Sequence, residues 1–135
     1  MPKKILIVDD DPSTRKLVQS ILESSGYEVA TAEDGREALP AIKNHHPDAI
    51  IMDLIMKDVG GSKAVEALQA DEKAKKIPIL FLTSVNASDE HQQASFNVQV
   101  GTITYKTMTK PFRTAALLKE LRALLSQKKL AGDTT

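Results

Sequence analysis

The sequence predicts an α/β fold, a three-layer sandwich with helices on both faces of a parallel sheet, and three observations carry that prediction. Short apolar runs alternate with longer stretches whose apolar residues recur at helical spacing. The runs are continuous rather than alternating, as strands covered on both faces require. Four strand candidates end in polar residues, so polar groups gather along one edge of the sheet, where open α/β sheets bind ligands. A chain of 135 residues is one domain with a substantial core.

The elements follow in order. Ile5-Leu6-Ile7-Val8 makes residues 4–8 a buried strand that runs into Asp9-Asp10-Asp11. Asp11 suits an N-cap and Pro12 the first helical position, so a helix starts there. Leu17, Val18, Ile21 and Leu22 form its stripe, and Gly26 ends it. Residues 27–32 alternate and read as an edge strand. Asp34-Gly35 opens a second helix with Ala38, Leu39, Ala41 and Ile42 inward. Pro40 lies inside that pattern and should kink or shorten the helix, since an interior proline costs about 3 kcal/mol. Pro47-Asp48 turns the chain into a strand over 49–53. Gly60-Gly61-Ser62 precedes a third helix with Ala64, Val65 and Leu68 inward. Ile77-Pro78 leads into a strand over 79–83.

Ser88-Asp89-Glu90 reads as the capped, acidic start of a fourth helix. Residues 95–101 alternate more like a strand or loop, and a fifth strand falls within 102–109. After Phe112, the leucines at 117, 118, 121, 124 and 125 give the strongest helical stripe of the chain. The domain therefore spans 1–126, with 127–135 a polar tail expected to fray. The sum is five parallel strands and about five helices, joined by right-handed crossovers.

Lys+Arg and Asp+Glu both count 18, so the net charge is zero. Binding a nucleic acid backbone directly needs a basic surplus or patch, so nucleic acid is not expected as the main ligand. The apolar run after Met1-Pro2-Lys3-Lys4 is too short for a signal peptide, and no run approaches membrane-spanning length. Absent cysteine is compatible with a reducing compartment. A cytoplasmic protein that does not engage a membrane is expected.

The chemistry concentrates at the strand ends. Asp9, Asp10 and Asp53 follow apolar runs, and clustered carboxylates repel one another unless a cation holds them. Lys110 and the hydroxyls of Thr83 and Ser84 reach the same edge, which suggests an anionic partner such as a phosphoryl group. The bland alternatives differ by residue. Asp11 reads as a helix cap, and Lys73, Lys75 and Lys76 as a solvated helix end. His45, His46 and His91 have no partner spacing and read as surface residues. The leucine stripe of the last helix reads as core.

Five segments in this order resemble the receiver domain of two-component response regulators, in a stand-alone, chemotaxis-type form, over essentially the whole chain. They are 5–12 (ILIVDDDP), 32–39 (AEDGREAL), 47–56 (PDAIIMDLIM), 77–83 (IPILFLT) and Lys110-Pro111-Phe112. The resemblance implies a flavodoxin-like fold with strand order 2-1-3-4-5 and a candidate cis bond at Lys110-Pro111. It makes Asp53 the phosphoacceptor, phosphorylated with Mg²⁺ by a sensor histidine kinase or phosphotransfer protein. Asp10 and Asp53 would ligate Mg²⁺ directly, the backbone carbonyl of Ile55 would join them, and Asp9 would act through water. Thr83 is the implied switch hydroxyl and Lys110 the phosphate-pairing lysine. The implied output is phosphorylation-dependent binding to a protein of unknown identity, as a monomer or a phosphorylation-dependent dimer.

The chain departs from the pattern in three places. Lys57 stands where proline is usual, four residues after the acceptor. Thr107 stands where an aromatic switch residue is common, with Tyr105 two residues earlier. The segment between Thr83 and Lys110 is long, so an unusual fourth helix or an extra loop near 97–102 is expected, and with it an unusual output face. Ile55 and Val85 flank the site and are expected to slow loss of the phosphoryl group. Two other functions remain open. One is a receiver-like scaffold whose binding ignores phosphorylation. The other is a phosphohydrolase of the haloacid-dehalogenase type, although the second acid such enzymes carry two residues after the nucleophile is here Ile55.

Overall fold

A computed structural model describes residues 2–56, 59–84 and 95–133. In chain order the strands are β1 (Lys4–Val8), β2 (Glu28–Ala32), β3 (Ala49–Asp53), β4 (Ile79–Ser84), β5 (Ser95–Val100) and β6 (Ile103–Lys110). The α-helices are α1 (Pro12–Ser24), α2 (Ala38–His45), α3 (Gly61–Gln69) and α4 (Thr114–Asp133). Short 3₁₀ turns at Gly35–Glu37 and Ala74–Lys76 complete the path.

The sheet has six strands in the order β2-β1-β3-β4-β6-β5. β2, β1, β3, β4 and β6 are parallel neighbours, which is the expected flavodoxin-like order. The sixth strand corrects the expected count of five. β5 pairs antiparallel with β6, Val100 opposite Ile103, across the two-residue turn Gly101-Thr102. Gly101 has φ +63°, a conformation that glycine adopts at little cost and that matches the twist of a hairpin. The expected start of a fourth helix at 88–90 lies outside the described residues, as do Lys57, Val85 and His91.

Apolar side chains cover both faces of the sheet. On one face Leu6, Val8, Ile50, Met52 and Phe81 pack with Ala38, Ile42, Ala64, Val65 and Leu68 from α2 and α3. On the other, Ile5, Ile7, Ile51, Leu80 and Leu82 pack with Val18, Leu22, Leu117 and Leu121 from α1 and α4. Leu17 departs from its expected stripe and is 55% exposed.

Asp11 caps α1 as anticipated, accepting from the Ser13 and Thr14 amides. Pro40 leaves α2 short, as one of the two expected outcomes: Gly35–Glu37 stays a 3₁₀ turn and the eight-residue α-helix begins at Ala38, because the proline has no N–H to donate to the carbonyl of residue 36. The backbone of 127–133 stays helical as part of α4, where a frayed tail was expected. Among the described residues no helix is long and apolar enough to cross a membrane.

Candidate functional site

Parallel pairing brings the C-terminal ends of β1, β3, β4 and β6 to one edge, with Asp53 in register with Leu82 and Ser84 with Lys110. Three carboxylates meet there. One oxygen from each of Asp9, Asp10 and Asp53 lies within 4.8 Å of the others. Asp9 and Asp53 are buried, at 1% and 7% exposure, and Asp10 is half-buried.

The Lys110 ammonium bridges two of the acids, at 2.9 Å from Asp9 Oδ2 and 3.5 Å from Asp53 Oδ2. Asp9 Oδ1 accepts from the Asp11 amide at 2.9 Å. Asp53 Oδ1 accepts from the Ile55 amide at 3.2 Å. Among the described residues, Lys110 is the cation that bridges Asp9 and Asp53. Burial pushes the Asp53 carboxyl up to about 6, opposed by the Lys110 charge and helped by that of Asp9. A hard, oxygen-seeking cation such as Mg²⁺ fits this donor set.

Asp9, Asp10, Asp53 and Lys110 thus converge as expected from their strand ends. Ile55 sits in the loop after β3 and is 69% exposed. Thr83 is buried at the end of β4, its hydroxyl 3.4 Å from the Ser84 carbonyl. His45 and His46 are exposed, as read from the sequence. The Lys110–Pro111 bond is cis.

Tyr105 and Thr107 occupy places that sequence reading left open. The Tyr105 ring meets Phe81 edge-on, with centroids 5.6 Å apart and planes at 75°. Its hydroxyl accepts from Gln69 Nε2 at 2.8 Å, and the same amide reaches the Val100 carbonyl at 3.0 Å. Tyr105 therefore fastens the β5–β6 hairpin to the end of α3. Thr107 is fully buried, and its hydroxyl has no hydrogen-bond partner among the described residues.

Two residues near the site escaped sequence reading. Arg15 donates from Nη1 to the Asp9 carbonyl at 2.7 Å. Gly61 packs so closely that a Cβ there would lie 2.5 Å from the Asp53 carbonyl oxygen. A basic residue one turn into the helix after the acidic turn, and a Gly-Gly pair after the strand that ends in Asp53, were the available signals.

Comparison with known proteins agrees with this geometry. The model of the response regulator receiver domain matches residues 5–122. The Bacillus subtilis alkaline phosphatase synthesis transcriptional regulatory protein PhoP is 36% identical over 100% of this chain and 53% of its own length. The polar-differentiation response regulator DivK of Brucella ovis is 37% identical over 62% of this chain and 68% of its own. This chain spans about half the length of PhoP and of the MprA response regulators it also matches. Among solved structures, the chemotaxis protein CheY4 of Vibrio cholerae superposes with a TM-score of 0.75 at 37% identity, covering 92% of this chain and 99% of that one. The receiver domain of the sensor histidine kinase PA1611 from Pseudomonas aeruginosa, solved with a magnesium ion in its active site cleft, gives 0.77 at 27% identity, covering 93% and 99%. Strand order, a lysine-bridged acid cluster and these matches together place the chain in the response regulator receiver domain family of two-component signalling.

Proposed function

We propose that Asp53 accepts a phosphoryl group from a histidine kinase or phosphotransfer protein, with Mg²⁺ bound, and that the phosphorylated form binds an output protein. In this reading the carboxylates of Asp10 and Asp53 and the backbone carbonyl of Ile55 hold the ion, and Asp9 does so through water. The protein acts in the cytoplasm, as a monomer or a phosphorylation-dependent dimer. The observation that carries the reading is the Lys110 ammonium set between Asp9 and Asp53, at 2.9 and 3.5 Å, with Asp10 in the same cluster.

Bound Mg²⁺ supplies positive charge that offsets repulsion between the acceptor and the phosphoryl oxygens. The remaining roles belong to the chain. An Asp53 oxygen attacks phosphorus, the bond from phosphorus to the donor histidine nitrogen breaks, and its electron pair leaves with the imidazole. Lys110 gives up part of its contact with the acids to pair with a phosphoryl oxygen. The Thr83 hydroxyl exchanges its weak contact with the Ser84 carbonyl for another phosphoryl oxygen. Both movements pull on the ends of β4 and β6, the second of which is a strand of the β5–β6 hairpin, and that displacement is the output signal.

Acetyl phosphate with Mg²⁺ is expected to add one phosphoryl group by intact mass. Asp53→Asn is expected to abolish it. Uptake that survives in Asp53→Asn, or no uptake by the wild type from any donor, sinks the reading.

A further inference from the structure

Each polar group of Asp9 is engaged. Its amide donates to the Ala32 carbonyl at 3.2 Å. Its carboxylate accepts from Asp11 and Lys110, each at 2.9 Å. Its carbonyl accepts from Arg15 at 2.7 Å. The first three contacts hold the residue and its side chain, whereas the fourth holds the peptide that leads to Asp10.

We propose that Arg15 is a positioning residue for the metal site: by fixing the Asp9–Asp10 peptide it aims the Asp10 carboxylate into the cluster. The inference rests on the Mg²⁺ reading above. A peptide unit is planar, so the Asp9 carbonyl and the Asp10 amide turn together and carry the Asp10 Cα from which its side chain projects. Arg15 is suited to hold that plane. Its backbone is anchored in the first turn of α1 by the bond from its amide to the Asp11 carbonyl, at 3.0 Å. Its side chain is only 16% exposed, and its other arm lies 3.8 Å from Glu33, which is 74% exposed. The sheltered contact to Asp9 is therefore the strong one, and the solvent-side pair with Glu33 is weak. Arg15 also brings a second cation, besides Lys110, against the acidic turn.

The test is a Mg²⁺ titration of the full chain, followed by amide chemical shifts and by calorimetry. Groups that orient metal ligands from outside usually change affinity by 10–100-fold, so Arg15→Met is expected to bind Mg²⁺ about tenfold more weakly. Arg15→Lys keeps the charge but not the planar fork and is expected to lose about threefold, which also covers the case in which Arg15→Met fails to fold. Glu33→Gln is expected to match the wild type. The Mg²⁺ concentration needed for half-maximal phosphorylation by acetyl phosphate should shift by the same factors.

Folded Arg15→Met and Arg15→Lys proteins that bind Mg²⁺ like the wild type overturn the inference, even if urea stability falls. A defect confined to transfer from a protein phosphodonor, with metal binding intact, also overturns it and assigns Arg15 to a docking surface. A wild type that binds no Mg²⁺ sinks the reading above and this inference with it. Binding by the wild type with no difference in the variants sinks this inference alone.

Discussion

Because burial raises the Asp53 carboxyl from 3.8 to about 6, the folded protein holds its proton where an unfolded chain has released it. Between those values the folded state binds the proton more tightly, so stability falls as pH rises through the window and stays lowered above it. For metal-free protein the cost at neutral pH is about 3 kcal/mol. Asp53→Asn has no such titration. In urea unfolding at pH 8 without metal, it is expected to be more stable than the wild type by about 1–3 kcal/mol, with the gain fading toward pH 4.5. Identical pH profiles for the two proteins would show that the charge carries no such penalty. The same proton competes with a cation for the carboxylate, so Mg²⁺ affinity and phosphorylation by acetyl phosphate should both decline below about pH 6 in the wild type.

The start of α3 is shaped by how near it comes to the end of β3. An alanine at 61 would place its Cβ 2.5 Å from the Asp53 carbonyl oxygen and 2.9 Å from Leu54 Cα, so backbone must move. At 60 the nearest atom is the Leu54 carbonyl oxygen at 3.5 Å, an ordinary contact. Gly61→Ala is therefore expected to lose roughly 1–3 kcal/mol in urea unfolding and to take up phosphate more slowly, while Gly60→Ala loses little. Equal effects at the two positions would contradict this packing. The two glycines look alike in the sequence, and only the fold separates them. Strands β1, β3 and β4 were legible because continuous apolar runs bounded by polar residues leave few alternatives. The hairpin was half-legible: residues 95–100 alternate and Gly101 marks a turn, yet the caps at 88–90 argued for a helix nearby. Leu17 satisfied a helical stripe and still faces solvent, since spacing alone does not say how wide a strip the sheet covers.

At the scale of the whole molecule, parallel topology made the site readable. Once strands run the same way, residues at their C-terminal ends must gather, so Asp9, Asp10, Asp53 and Lys110 could be grouped without knowing any distance. Arg15 could not, because the target of a long side chain depends on how α1 lies over the turn before it. A ligand that binds only the folded state stabilises all of it, by about 2.7 kcal/mol at a hundred times its dissociation constant. The melting temperature is accordingly expected to climb with Mg²⁺ in the wild type and to stay flat in Asp10→Asn. A climb of equal size in Asp10→Asn would place the ion elsewhere. The nine residues of α3 lie against the Asp53 carbonyl at one end, through Gly61, and hold the added hairpin at the other, through Gln69. A stiff rod some 12 Å long, pinned at both tips, cannot shift at one without straining the other. Disturbance at the buried acid is therefore shared with the strand pair that closes one edge of the sheet.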